Sequence, residues 1–299
     1  MSGVQTRSEG LLRPVSWREA LALRSQRPDA SPICGGTDLM VDINFDRTRP
    51  AALLDLTRVA GLDAWELIEG GRTVRIGAGV SLTRIIRELG ALCPALAAAA
   101  RTVGSPQIRN RGTVAGNLAT ASPAGDCHPV LLACWVMVEV ESAHRSRLID
   151  IDDFFVGPKR SVLEPDELIR AVRIPAATGP QQFAKIGTRN AMVIATASFA
   201  LNLDAAGRRV GTGIGSAGPT PLRSPAAEQM LQEALAGCWD DPASVDDGTR
   251  WRFGDLVAGA ASPIDDVRGS AAYRTHALGV LARRCLGWAL QELRPQDAP

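Results

Sequence analysis

The sequence predicts a mixed α+β protein, and three observations lead there. Over the first 90 residues, strand-like runs, glycine turns and amphipathic helical runs alternate. Beyond the loop Pro175 to Pro180 (PAATGP), three runs read as antiparallel strands and helical patterns follow. The composition is that of an ordinary folded chain: of 299 residues, 45% are hydrophobic and 22% charged.

The elements follow in order. Ser16 to Ser25 (SWREALALRS) predicts a short helix, with Ser16 as N-cap and Glu19 completing a capping box. Ser31 to Asp38 (SPICGGTD) reads as a strand stub entering a glycine turn. Ala52 to Leu56 reads as a strand, and Thr73 to Val80 as another that ends in glycines. Ser81 opens a helix with Leu82, Ile85, Ile86 and Leu89 on one face. Ser105 to Asp126 fits neither a clean helix nor a clean strand. Pro129 to Ser142 reads as a helix turning into a strand near Trp135, and Leu168 to Ile174 as a strand. The loop Pro175 to Pro180 is the expected domain boundary. After it, Phe183–Arg189, Val193–Asp204 and Gly207–Gly218 predict three antiparallel strands, with Ala206-Gly207 in the last hairpin. Pro225–Leu235 and Ser270–Leu293 predict helices. The stripe Tyr273, Ala277, Val280, Leu281 and Leu290 of the second reads as core packing.

Bulk properties exclude several function classes. The formal net charge is +1, from 33 basic and 32 acidic residues, which gives no footing for nucleic acid or an acidic membrane. The six cysteines, at 34, 93, 127, 134, 238 and 285, contain no CxxC pair, so no local zinc or iron–sulfur cradle is expected. His128, His144 and His276 lack ligand spacing. His128 beside Asp126 reads as loop structure rather than an acid–base pair. No apolar run reaches the roughly 20 residues of a membrane span, and the N-terminus lacks a secretory pattern. A cytoplasmic protein with reduced thiols is expected. Lysine occurs only at Lys159 and Lys185, which singles both out slightly.

Two glycine-bearing segments carry the chemistry. In Cys34-Gly35-Gly36-Thr37-Asp38, paired glycines reach backbone angles closed to other residues, and successive N–H groups can form an anion-binding nest. Taken alone, the same residues read more simply as a tight turn between strands. The spacing is that of neither a dinucleotide fingerprint nor a P-loop. GIGSAG at Gly213–Gly218 contains GxGxxG, but Pro219 and Pro221 forbid the long helix that motif needs, so it reads as a strand end and turn. The second segment is SPQIRNRGTVAGNLATASPAGD, Ser105 to Asp126. Ser105, Thr113, Asn117, Thr120 and Ser122 offer neutral hydrogen bonds, Arg109 and Arg111 offer donors, and Asp126 offers the acceptor a ribose wants. Such a stretch can clasp a sugar-linked polyphosphate, or it can be a polar loop that satisfies itself.

In sequence order these motifs resemble the FAD-binding medium subunit of the xanthine dehydrogenase and carbon monoxide dehydrogenase family of molybdenum hydroxylases. The resemblance covers nearly the whole chain. The family's Ala-Gly-Gly-Thr-Asp-Leu stands here as Cys34 to Leu39. Its Ile-Arg-Asn-X-X-Thr-Ile-Gly-Gly-Asn stands as Ile108 to Asn117, and its Ala-Ser-Pro-X-X-Asp as Ala121 to Asp126. Phe183-Ala184-Lys185 and Thr188-Arg189 resemble the start of the family's C-terminal domain.

The resemblance implies a flavin domain of the vanillyl-alcohol-oxidase kind (PCMH-type), built of two subdomains, 1–58 and 59–176, with a C-terminal α+β domain over 181–293. It implies non-covalent FAD. The backbone of Cys34, Gly35, Gly36, Thr37 and Asp38 would hold the pyrophosphate, with Ile33 and Leu39 beside them also binding the cofactor. Thr113, Ala115, Gly116 and Asn117 would hold the phosphate and ribityl region, and Val103, Gly104, Ile108, Arg109, Asn110, Thr120 and Ser122 would also bind the cofactor. Asp126 would take the ribose, Ile169 the adenine end, and Lys185 would stand near the flavin. No residue of this chain is implied as acid, base or metal ligand. Two departures stand out: Cys34 replaces Ala, and Ala115 replaces a glycine, which would be strained at φ > 0.

Function follows from the same resemblance. The chain is expected to carry electrons from two 2Fe–2S clusters of a small subunit to an external acceptor such as NAD⁺ or a quinone. A large subunit with molybdopterin cytosine dinucleotide, or a related molybdenum cofactor, oxidises the substrate. The expected assembly is an αβγ heterotrimer, often paired as a hexamer. The alternatives are a free-standing FAD oxidoreductase of the same fold, such as a UDP-sugar reductase, and a scaffold subunit that has lost FAD.

Overall fold

The computed structural model describes residues 10–240, 242 and 245–293. The chain opens with β1 (Leu11–Leu12), α1 (Trp17–Gln26), β2 (Ala30–Ile33), α2 (Leu39–Asn44) and β3 (Ala52–Asp55). Ser16 Oγ caps α1 by accepting from the Glu19 amide, and Glu19 Oε2 in turn accepts from the Val15 amide at 2.8 Å. The three strands form a parallel sheet in the order β1-β3-β2. β2 therefore ends at Ile33, where the first glycine loop starts.

β4 (Trp65–Ile68), β5 (Thr73–Gly77), α3 (Leu82–Glu88), α4 (Pro94–Thr102), α5 (Pro106–Arg111), α6 (Val114–Thr120) and α7 (His128–Ala133) follow. Then come β6 (Met137–Glu141), β7 (Ser146–Asp150), β8 (Phe155–Gly157), β9 (Arg160–Ser161) and β10 (Leu168–Pro175). A five-stranded antiparallel sheet runs β4-β5-β10-β6-β7, and β8-β9 is a small hairpin. Its inward residues Val74, Ile76, Val138, Val140, Val172 and Ile174 join Leu96, Leu118 and Leu131 of the helices in one core. Trp135, at φ 50, breaks α7 from β6 where the sequence places the change.

Ser105 to Asp126 is more ordered than its sequence suggests. It contains α5 and α6, each started by a cap: Ser105 Oγ accepts from the Ile108 amide and Thr113 Oγ1 from the Gly116 amide. Pro106 occupies the first turn of α5, where no N–H is missed. Helices of six and seven residues are too short for an apolar period to show.

β11 (Gln181–Ile186), β12 (Ala197–Asp204) and β13 (Arg209–Gly215) form a three-stranded antiparallel sheet, followed by α8 (Pro225–Leu235), α9 (Asp247–Gly259) and α10 (Ala271–Leu293). β12 is covered on both faces. Phe199, Leu201 and Leu203 join the core under α8, α9 and α10, whereas Ala200 joins the first core. Asn202 turns the same way as Ala200, and its amide donates to Ala133 O at the end of α7. α9 escapes a sequence reading because its apolar positions do not line up on one face. Among the described residues, no helix is long and apolar enough to cross a membrane.

Candidate functional site

Two glycine-bearing loops meet at the end of β2. Gly36 has φ +74, in the left-handed region that favours glycine. At Gly35 an added Cβ would lie 2.2 Å from Arg111 O, so the first loop rests directly on the end of α5. The amides of Gly35, Gly36, Thr37 and Asp38 donate to no other described residue. Across from them, Thr113 caps α6, and Thr120 on its last turn donates to Asp38 Oδ2 at 3.3 Å.

Between the loops lies a cavity of about 390 Å³. It is lined by Ile33, Cys34, Gly35, Gly36, Thr37, Asp38 and Leu39 from the first loop and by Val103, Thr113, Gly116, Asn117 and Thr120 from the second. Lys159 also lines it, reaching over from the β8-β9 turn and pairing with Asp42 at 3.4 Å. Only the rarity of lysine in this chain pointed to it.

A second cavity, of about 620 Å³, holds Gly104, Arg109 and Lys185. Arg109 Nη1 donates to Val103 O at 3.0 Å and Gly104 O at 2.8 Å, which fixes the turn that opens α5. Lys185 Nζ lies 2.6 Å from Asp126 Oδ2 and 3.3 Å from Thr102 O. Asp126 is also bonded by Thr102 Oγ1 at 3.2 Å, yet burial outweighs these partners and pushes its carboxyl above the usual range.

Other residues of the expected site stand apart from both cavities. Asn110 faces the opposite side of α5, where its Oδ1 accepts from Thr83 at 2.7 Å, and it borders a third, smaller cavity. Ile108 packs its side chain under Gly104, Ser122 Oγ accepts from the Ala124 amide, and Ile169 is buried in β10 beside Val140. Ala115 is buried in the first turn of α6 and does not have positive φ, so a side chain costs nothing there. Cys34 is half-buried, and burial raises its thiol pKa, so it packs as a small apolar group.

His128 supports the second loop from beneath. Its ring is fully buried against Phe155, with Nδ1 3.0 Å from Ser122 O and Nε2 3.1 Å from Asn117 O. Burial depresses its pKa to about 4, so at neutral pH it is an uncharged brace. Gly125 must lack a side chain, because a Cβ there would lie 2.4 Å from the ring.

The residues present suit a flavin dinucleotide. Four unbonded amides in a turn whose first two residues, Gly35 and Gly36, lack Cβ atoms suit a pyrophosphate. Asn117 Oδ1 and Asp126 Oδ1 are buried side-chain acceptors with no partner among the described residues, as hydroxyl-rich ligands require.

Fold and site together define a two-loop nucleotide-cofactor protein with a C-terminal α+β layer. Residues 5–177 match the family model described as the FAD binding domain in molybdopterin dehydrogenase, and residues 182–289 match the CO dehydrogenase flavoprotein C-terminal domain. The chain is 33% identical over 278 residues to the nicotine 6-hydroxylase medium subunit of Paenarthrobacter nicotinovorans, covering 91% of this chain and 94% of that one. It is 30% identical over 292 residues to the carbon monoxide dehydrogenase medium chain of Hydrogenophaga pseudoflava, covering 92% and 96%. A solved carbon monoxide dehydrogenase from Hydrogenophaga pseudoflava, lacking the Mo-pyranopterin moiety, superposes with a TM-score of 0.85 at 30% identity over 95% of this chain and 97% of that one. The chain belongs to the FAD-binding subunits of the molybdenum hydroxylase family.

Proposed function

We propose that this chain is the electron-transfer subunit of a cytoplasmic molybdopterin-dependent hydroxylase. It takes electrons from 2Fe–2S clusters on a small partner subunit and passes them to an external acceptor, while a large partner subunit carries the molybdenum cofactor and oxidises the substrate. The proposed division is two flavin subdomains, 1–58 and 59–176, with the C-terminal domain at 181–293. The observation that carries this reading is the set of unbonded amides at Gly35 to Asp38, facing Thr113 to Asn117 across one cavity.

When bound, FAD supplies acceptance and release of electrons singly or in pairs. The chain's own residues bind and orient. Gly35 to Asp38 hold the pyrophosphate through backbone N–H groups, and Lys159 adds positive charge at the rim. Asn117 Oδ1 and Asp126 Oδ1 accept from ligand hydroxyls. Arg109 shapes the Val103–Gly104 turn between the two cavities, and Lys185 keeps Asp126 turned so that its second oxygen stays free.

The test is the visible spectrum of the purified full chain. Bands near roughly 370 and 450 nm are expected, and acid precipitation is expected to release them into the supernatant as FAD. A colourless chain that takes up no FAD on incubation, alone or with its partner subunits, would overturn the reading.

A further inference from the structure

His128 sits in a contact that a neutral ring cannot fully satisfy. Its Nδ1 lies 3.0 Å from Ser122 O and its Nε2 3.1 Å from Asn117 O, and the residue is fully buried. Both partners are backbone carbonyls, which only accept. A neutral imidazole carries one N–H, so it donates to one carbonyl and turns a lone pair on the other. The imidazolium donates to both. In the chain without cofactor, burial outweighs this gain and holds the ring pKa at about 4.

The two carbonyls bracket Ala121, the left-handed residue at φ 46 that ends α6. Asn117 belongs to two surroundings: its carbonyl meets the ring, and the residue also lines the cavity between the two glycine loops. One residue therefore separates the imidazole from the place where a pyrophosphate fits.

The charges around α7 are otherwise matched or exposed. Asp126 is paired with Lys185 of β11, Asp152 in the turn Ile151–Asp153 with Arg223, and Asp204 at the end of β12 with Arg209 of β13. Lys159 on the β8-β9 turn is paired with Asp42, while Asp153, Arg160 and Arg101 of α4 are exposed. α6 carries no titratable group, β8 presents Phe155 to the ring, and burial pushes the neighbouring Cys127 thiol up to about 12. Among the described residues, no buried carboxylate is left to balance an imidazolium. A doubly charged pyrophosphate on the far side of Asn117 supplies that missing charge through a poorly screened layer.

We propose that His128 takes up a proton from solvent when FAD fills the cavity, so that the loaded site holds an imidazolium clamped between Asn117 O and Ser122 O. The proposal rests on the FAD reading above. His128 is then a positioning residue that ties cofactor retention to pH. The proton favours the loaded form, so affinity rises as pH falls through the ring's value in the loaded chain. It levels off near the empty chain's value of about 4.

The test is calorimetric titration of FAD into the flavin-free full chain between about pH 5 and pH 7, in two buffers of different ionisation heat at each pH, which counts the protons bound. The wild type is expected to take up about 0.3–1 proton near the acid end, with affinity rising up to about tenfold per pH unit. H128N and H128Q each keep a donor for one carbonyl and cannot become charged. Both are expected to lose the uptake and the pH dependence, while retaining Asp126, the other group at the site able to move a proton. Ring-nitrogen NMR of histidine-labelled wild type needs no variant: the buried His128 signal should move from the neutral to the charged position when FAD is added at about pH 5. Uptake that persists undiminished in both variants would overturn the proposal, as would a His128 ring that stays neutral in the loaded wild type. A chain that binds no FAD at any pH would instead count against the FAD reading, and the proton site would fall with it.

Discussion

Lys185 Nζ sits 2.6 Å from Asp126 Oδ2, and through this contact β11 reaches the loop between α6 and α7. The two side chains are 7% and 8% exposed. Each is therefore costly to bury alone, and a change that strands one costs more than the pair contributes.

Lys185→Met is expected to destabilise the full chain by about 3–5 kcal/mol, because Asp126 is left buried without a countercharge. Lys185→Met with Asp126→Asn should be more stable than Lys185→Met alone. Urea unfolding of the wild type, Lys185→Met, Asp126→Asn and the double variant checks this, and strictly additive losses would show that the two groups do not interact.

Acid lability should trace in part to His128. Its folded pKa of about 4 lies below the unfolded value of about 6.5, so the unfolded chain binds the extra proton first. Stability from this group is complete above about pH 6.5 and falls as pH drops towards 4, by about 3 kcal/mol in all. Asp126 acts with the opposite sign, since its raised pKa makes the folded state lose stability as pH rises through it. His128→Asn should flatten the pH dependence across that window, measured as the urea midpoint at successive pH values.

Two glycines should respond in opposite directions to alanine. At Gly213 a Cβ would lie 1.8 Å from Pro129 O, and Gly213→Ala is expected to cost about 3 kcal/mol. Gly287 lies inside α10 with open space around it, and Gly287→Ala should stabilise by about 1 kcal/mol. Thermal unfolding of both separates contact from propensity.

Within the cofactor loops, Gly35→Ala should abolish FAD retention, because its side chain displaces Arg111 O. Ala115→Gly should leave retention intact and cost about 0.5–1 kcal/mol of stability, since the position is helical. Flavin absorbance per chain after gel filtration reads both. A gain in flavin content on Ala115→Gly would show that the alanine obstructs the site.

The sequence made the main plan legible where chemistry is local. Glycine pairs at 35–36, the capping residues Ser16 and Ser81, and the run across β12 each announce their conformation. Position in space was harder. Asn110 and Thr113 belong to one motif, yet α5 turns Asn110 towards Thr83 and away from the cavity that Thr113 borders. Lys159 reaches that cavity from a turn distant in sequence, at φ 54, with its amide bonded to Ala121 O. The short edge strands β1, β4 and β7 carry too few residues to show an alternation. α4, mostly alanine, reads as an apolar run without a face.

The glycines of β13 have a consequence for how the molecule can be inherited. Gly211, Gly213 and Gly215 let α7 lie directly on the strand, where any side chain would strike Ala133 O, Pro129 O or the Pro129 ring. Ser216 N also donates to Pro123 O, in the loop leading to α7. α7 and β13 are far apart in sequence and fall on opposite sides of the loop at 175–180, but they fit only as a matched set. A chimera of two relatives joined at that loop should fold only when both parents agree at these glycines and at Pro129, which makes the most obvious splice point a poor place to recombine the gene.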